Sequence, residues 1–402
     1  MSRKKTPEWQ HNLHVLWLGN FTIAMGYNLI MPFMSLYIRQ LGNFSAAQLN
    51  FWSGFSFSIT FLVSALIAPV WGKLADRHGR KLILMCTSFG MATMLGLMGT
   101  VQNVYELLLL RLGQGLFAGY VSNTTALIAT SAPQEHSGKA ISTLSTGTTS
   151  GMLIGPLLGG VVAQLVGYRH TFFITGCTDY IVFLLTTFLV REKHFKPVTM
   201  LHMSAHKVFK QLKYPQVVLG MMVTTMIIQA SNNSISPIIS LYIRQLLHGQ
   251  GKVALVSGII AALPGIANLL VATHFGALGD KIGTQKILIG GLLLALCIYI
   301  PQAFVKNAWQ LAALRLLVGV SDASLIPQVQ TLLSKYSPHE FSGRIYSYNQ
   351  SFQFMGNVIG PMIGSFVSNI GGYSSVFLST TCLIIINLIW VLINTRQIIH
   401  NH

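Results

Sequence analysis

Few side chains in this 402-residue chain can handle a charge away from water, because it carries only 9 Asp and Glu beside 26 Lys and Arg. Arg111, Asp179, Arg315 and Asp322 fall well inside long apolar runs, where ionisable groups are costly and are candidates for function. Asp322 follows Arg315 by seven residues, which on a helix puts both on about the same face. Burial favours the protonated form of a carboxyl and a nearby guanidinium favours the anion. An arginine that moves can therefore load and release a proton. Asp322 with Arg315 fits that scheme best, although a static buried ion pair would use the same residues. Arg111 lies about a turn and a half into its own run, near Glu106. Asp179, midway along another run, reads first as a polar packing or helix-end residue and second as a proton carrier. No nucleophile–base constellation and no GxxxxGK[ST] loop is present, which speaks against an enzyme and against ATP as the direct energy source. Cys86, Cys177, Cys297 and Cys382 lie in apolar runs without metal-ligand spacing, so no disulfide framework, metal or cofactor is expected.

The elements that must position these groups follow from composition. The chain is 52% hydrophobic and 9% charged, where a soluble domain carries about 25% charged residues. Lipid is the solvent that such a surface suits, and a crossing takes about 20 apolar residues. Apolar runs of that length are read at 14–38, 51–71, 82–101, 105–130, 140–166 and 171–190, then at 216–243, 253–275, 287–305, 309–333, 345–370 and 373–394. The expected fold is an all-α polytopic membrane protein of twelve spans. A first six-helix bundle takes residues 1–190, a basic cytoplasmic linker 191–215, and a second bundle 216–402. Nineteen of the 26 Lys and Arg then fall in segments on one side, five on the other, and Arg111 and Arg315 within spans. By the positive-inside rule both termini are cytoplasmic. The net charge of +17 is spread over short connectors, which excludes a nucleic-acid surface. MSRKK precedes an apolar run too long for a signal peptide core.

The chain repeats itself. SLYIRQL occurs at Ser35–Leu41 and again at Ser240–Leu246, 205 residues later. GKLADRHG (Gly72–Gly79) returns as GALGDKIG (Gly276–Gly283), RLGQG (Arg111–Gly115) as RLLVG (Arg315–Gly319), and GMLIGPLLGG (Gly151–Gly160) as GNVIGPMIGS (Gly356–Ser365). Order and offset are kept within one residue. An even number of spans per copy gives two halves inserted in the same sense, related by a pseudo-two-fold axis. Pro32 and Pro237 correspond and should bend their helices. Arg39 and Arg244, basic residues on the outside, fit helix C-terminal caps.

Three of these motifs suggest specific work. The short connection Gly72–Lys81 needs glycines at its bends, supplied by Gly72 and Gly79, and Asp76 can face a helix N-terminus. Gly151, Gly155 and Gly159 form one bare stripe, with Pro156 and Gly160 beside it. Such a stripe serves close helix packing or a face that slides, and the sequence does not separate the two. GKLADRHGRK resembles the loop signature of the major facilitator superfamily, Arg111 with Gly115 its fourth-span motif, and GMLIGPLLGG its fifth-span antiporter motif. The twelve-helix drug:proton antiporter family, in its MdtG-like multidrug efflux branch, is the best match, through FWSGFSFSITFLVSALIAPVWGKLADRHGRK and RIYSYNQSF. That resemblance implies a conformational latch formed by Gly72, Asp76, Arg77, Gly79, Arg80 and the second copy's Asp280, and a coupling role for Arg111. The second copy has Thr284 and Gln285 in place of Arg80 and Lys81.

Polar and aromatic residues inside spans either face a central cavity or bond between helices. They are Tyr27, Asn28, Asn123, Gln229, Asn232, Asn233, Tyr346, Asn349, Gln350, Phe352 and Gln353. A greasy cavity with few polar groups suits promiscuous binding. Span 1 has no carboxylate, which leans the substrate preference toward neutral or anionic amphiphiles. The expected function is secondary active export of amphiphilic drugs or other small toxic compounds by a monomer in the cell membrane. It would be driven by the proton motive force and work by a rocker-switch. The alternative is a proton-coupled uptake carrier for a sugar or organic anion on the same fold.

Overall fold

The computed structural model describes residues 7–192, 209–212, 214–337 and 342–399. Most of the 191–215 linker lies outside the described residues, as do the side chains of Asp76 and Asp280. Every regular element among the described residues is a helix. A lipid-facing chain has little choice, since a helix satisfies all its backbone N–H and C=O groups internally.

The first helices are α1 (Glu8–Ile30), α2 (Met34–Gln40), α3 (Ala46–His78), α4 (Arg80–Met98), α5 (Val104–Leu116), α6 (Tyr120–Ser131) and α7 (Gln134–Leu189). They are followed by α8 (Pro215–Ile235), α9 (Ile239–Leu246), α10 (Val253–Ile282), α11 (Thr284–Gln302), α12 (Ala308–Ala323), α13 (Ile326–Tyr336) and α14 (Ser342–Ile399). Among the described residues, eight helical stretches are long and apolar enough to cross a membrane, and two of them, Lys139–Leu189 and Ile345–Thr395, run 51 residues. Each of these two is broken once by a glycine in the left-handed region, Gly167 at φ 82° and Gly372 at φ 75°. That conformation is open to glycine without steric cost, so α7 and α14 each hold two helices joined at a kink.

Other interruptions fall at corresponding places in the two copies. A 3-10 turn containing Pro32 separates α1 from α2, and Ser236–Ile238, with Pro237, separates α8 from α9. Proline lacks the N–H that would continue the ladder. Residues 117–119 part α5 from α6, and residues 324–325 part α12 from α13. The starts of α5 and α12 are built alike. Asn103 Oδ1 accepts from the Glu106 amide at 3.0 Å, and Asn307 Oδ1 from the Gln310 amide at 2.9 Å. Glu106 Oε2 and Gln310 Oε1 reach back to the amides of Gln102 and Lys306, both at 2.8 Å. These are reciprocal capping boxes. Arg39 and Arg244 lie in the last turns of α2 and α9, where a cation is favoured.

The chain forms two compact units, Met1–Gly42 with Leu62–Met200, and Asn43–Phe61 with Leu201–His402. They part inside the stretch read as a linker. The first half of α3, read as part of the 1–190 bundle, instead belongs to the second unit. Asn50 Nδ2 donates to Asn369 Oδ1 at 2.9 Å, Ser58 Oγ to the Val358 carbonyl at 2.7 Å, and Ser365 Oγ to the Asn50 carbonyl. Short polar side chains of this kind tie helices together where apolar contact brings no gain over lipid. In the first unit Leu16, Ile23, Leu84, Tyr120, Leu127 and Val182 form one core. Leu288, Tyr299, Leu332 and Phe377 belong to the core of the second.

The glycine stripe of α7 lies on the backbone of α1. A β-carbon on Gly155 would sit 2.7 Å from the Met25 carbonyl oxygen. Gly151 and Gly159 meet the carbonyls of Phe21 and Leu29 more closely still, and Gly147 meets that of Trp17 at 2.7 Å. In the second unit Gly356, Gly360 and Gly364 of α14 lie on the carbonyls of Met226, Ala230 and Ser234 in α8. The stripe is thus a packing seam inside each unit. Pro156 and Gly160 are buried beside it. Gly159→Val should abolish the monodisperse folded peak in detergent chromatography, since backbone must move to admit the side chain. Gly72→Ala should leave peak and melting temperature unchanged, because nothing lies within 4 Å of its β-carbon position.

Candidate functional site

Each unit holds a buried polar cluster. In the second, α12 ends at Ala323, and Asp322 sits in its last turn next to the break. Asp322 is half-buried, and its Oδ1 accepts from Asn232 Nδ2 of α8 at 3.2 Å. Tyr299 of α11 donates its hydroxyl to Asn232 Oδ1 at 3.0 Å. Arg315 lies within electrostatic reach of both Tyr299 and Asp322, but no ion pair joins these two described residues, Arg315 and Asp322. Spacing along the helix puts them on one face, and the carboxylate is held there from α8 by an amide. Asn232, Tyr299 and Asp322 line a small cavity with Ser231, Leu292 and Asn387. Ser231 Oγ and Asn387 Oδ1 are buried there with no hydrogen-bond partner among the described residues.

In the first unit, Arg111 is 2% exposed and donates from Nη1 to Gln114 Oε1 at 2.6 Å. Tyr27 of α1 lies beside the same guanidinium. Glu106, expected near Arg111, is taken by its capping box. Asp179, in the second helix of α7, is 0% exposed, and neither carboxylate oxygen has a hydrogen-bond partner among the described residues. It faces Gly26 of α1, where a β-carbon would come within 3.3 Å of Asp179 Oδ1.

The predicted cavity residues divide. Asn28 bonds back to the Ala24 carbonyl at 2.8 Å, and Asn123 to that of Gly119 at 2.8 Å. Asn233 reaches Asn357 Oδ1 and the Gln229 carbonyl, both at 3.0 Å, so this asparagine serves helix packing. Phe352 packs on the second unit's core. Asn349 is buried with its Oδ1 unsatisfied among the described residues. Tyr346 is exposed and donates to the Gln330 carbonyl at 3.3 Å, while Gln350 is exposed and Gln353 half-buried.

At the signature loop, Gly79 alone makes the turn between α3 and α4, at φ 94°. Gly72, expected at a bend, lies within α3, which continues to His78. Gly283 repeats the turn at φ 107° between α10 and α11. Arg77 is exposed, and the side chains of Asp76 and Asp280 lie outside the described residues. The loop's partner is Glu192, which sequence spacing could not have found 112 residues away. Its Oε1 accepts from the Arg80 amide at 3.0 Å and its Oε2 from the Lys81 amide at 2.8 Å. A carboxylate on the first amides of a helix satisfies donors that otherwise lack partners. Next to it, Asn12 of α1 holds the Arg191 backbone, donating to its carbonyl at 2.6 Å and accepting from its amide at 2.9 Å. Glu192→Ala should destabilise the protein by about 1 kcal/mol, the usual value of a lost cap. A lowered midpoint in thermal unfolding of the purified protein would show it.

Comparison with known proteins fits this geometry. The sequence pattern of the Major Facilitator Superfamily matches residues 16–251 and 217–400. The chain is 47% identical over 391 residues to the multidrug resistance protein MdtG of Dickeya zeae (strain Ech586), covering 97% of this chain and 96% of that one. It is 47% identical over 399 residues to the protein of the same name from Klebsiella pneumoniae (strain 342), covering 99% and 97%. Among solved structures, a bacterial homologue of the human lysosomal transporter Spinster superposes with a TM-score of 0.81 at 16% identity, over 98% of both chains. The human organic anion transporter MFSD10 does so with a TM-score of 0.69 at 16% identity, over 96% of this chain and 100% of that one. With two homologous helical units, its signature loop and its glycine seams, this chain belongs to the Major Facilitator Superfamily.

Proposed function

We propose that the protein exports amphiphilic drugs or other small toxic compounds across the cell membrane in exchange for protons. It would cross the membrane twelve times with both termini in the cytoplasm, act as a monomer, and alternate access by rocking its two halves. The multidrug-resistance name of its relatives supports the cargo class. Proton exchange rests on the cluster around Asp322. A carboxylate beside a helix break is held by one neutral amide, which tolerates both of its protonation states. Tyr299 orients that amide by donating to Asn232 Oδ1, so the amide nitrogen faces the carboxylate. Arg315 stands near enough to favour the anion if rocking brings it closer. A proton taken up from outside would leave to the inside at that step. The absence of a carboxylate from α1 and α2, apart from Glu8 at the start of α1, points to neutral or anionic amphiphiles.

Purified protein in liposomes should move a fluorescent amphiphile against its gradient only when acid is imposed on the extracellular face. Asp322→Asn should lose that coupling at least tenfold while still exchanging the dye downhill. Asn232→Ala should weaken coupling less, since it removes only the hydrogen bond that positions Asp322. Full coupling in Asp322→Asn removes the proposed proton site. Accumulation in the opposite sense marks an uptake carrier, and transport of permanently cationic dyes alone overturns the substrate preference.

A further inference from the structure

We infer that Asp179 is a second proton-binding site, independent of Asp322, so that each half of the transporter carries one. This rests on the proton-exchange reading above and adds a site to it. Both oxygens of Asp179 lack hydrogen-bond partners among the described residues, and the side chain has no exposure. Structural carboxylates so deeply buried are normally paired or hydrogen-bonded; even the exposed Glu106 and the half-buried Glu192 have hydrogen-bond partners here. Among the described residues, the groups facing Asp179 offer no compensating charge. Helix α1 presents Gly26, and α6 presents Tyr120, whose hydroxyl is 2.8 Å from Thr186 Oγ1. Helix α4 presents Ala92 and Gly96, packed on Gly176 one turn before Asp179. Tyr120 is the titratable group within reach; Arg111 is engaged with Gln114 and Tyr27.

The repeat supplies independent support. Gly167 and Gly372, the two kinks, are 205 residues apart, and the same offset carries Asp179 to Ile384. Ile384 lines the cavity of Asp322. Asp179 therefore holds, in its half, the position that corresponds to a residue lining the cavity of Asp322 in the other. Gly26 leaves room for the carboxylate against α1: a β-carbon there would meet the Thr175 methyl at 2.9 Å as well as Asp179 Oδ1.

The test needs no substrate. Detergent-purified full-length protein is jumped from acid to alkaline pH in weak buffer, and an indicator dye counts the protons released per molecule. Asp179→Asn should release one fewer than the parent protein, Asp322→Asn one fewer, and the double variant two fewer. Infrared difference spectra should lose one protonated-carboxyl band in Asp179→Asn and regain it in Asp179→Glu. If Asp179→Asn fails to fold, Gly26→Ala should shift the pH at which that band appears. Equal proton release by Asp179→Asn and the parent protein overturns the inference, as does an unmoved band in Gly26→Ala. A loss in Asp179→Asn with none in Asp322→Asn leaves this site standing and removes the other.

Discussion

The contact of glycine faces with carbonyl groups, α7 on α1 and α14 on α8, sets where everything else can be. Between helices in lipid there is no hydrophobic gain, so association relies on close backbone approach and on polar contacts. Gly147, Gly151, Gly155 and Gly159 step along the carbonyls of Trp17, Phe21, Met25 and Leu29. The residues that carry chemistry stand between these pinned positions. Gly26, which faces Asp179, and Tyr27, beside Arg111, lie between Met25 and Leu29. Asn232, which holds Asp322, lies between Ala230 and Ser234, the carbonyls under Gly360 and Gly364. A shift of half a turn in either seam would carry these side chains away from their partners. The rigidity of the seams is therefore a condition of the polar clusters, and the kinks at Gly167 and Gly372 fall outside them.

The scaffold is largely legible in the sequence. Apolar runs, prolines at 32 and 237 and the repeated glycine stripes each act through local backbone rules, so the long helices and the breaks at the two prolines follow from residue type and spacing, while the breaks at 117–119 and 324–325 do not. What spacing does not reveal depends on three or more helices at once. Asp322 and Arg315 share a helix face by spacing, yet the carboxylate's partner comes from α8 and is oriented from α11. Glu106 is close enough in sequence to serve Arg111 and instead completes the start of its own helix. Gly72 suggests a bend, but α3 runs through it because no neighbour forces a turn there. Glu192 gives no sign, since a lone acid after a span resembles any connector residue until α4 is seen to begin beside it. The assignment of Asn43–Phe61 to the second unit is equally hidden. Its polar ties run to residues about 300 positions away.

Within the apolar spans the two halves keep their arginines but not their carboxylates. At the offset of 204, Arg111 corresponds to Arg315, while Asp322 corresponds to Ala118. Tyr27 corresponds to Asn232 at 205. In the first half the guanidinium therefore has a tyrosine and a glutamine beside it, and the acid sits apart, against Gly26. In the second half the acid and the guanidinium are near neighbours that share Tyr299. The difference has a physical consequence. In the second half a change of charge at Asp322 would act on a guanidinium that faces the same tyrosine. In the first half Asp179 and Arg111 face neighbouring residues of α1, Gly26 and Tyr27. One half thus places its acid and its guanidinium around one tyrosine, and the other places them against adjacent residues of α1. Duplication made this division possible, since a seam of glycines holds either arrangement of side chains in the same frame.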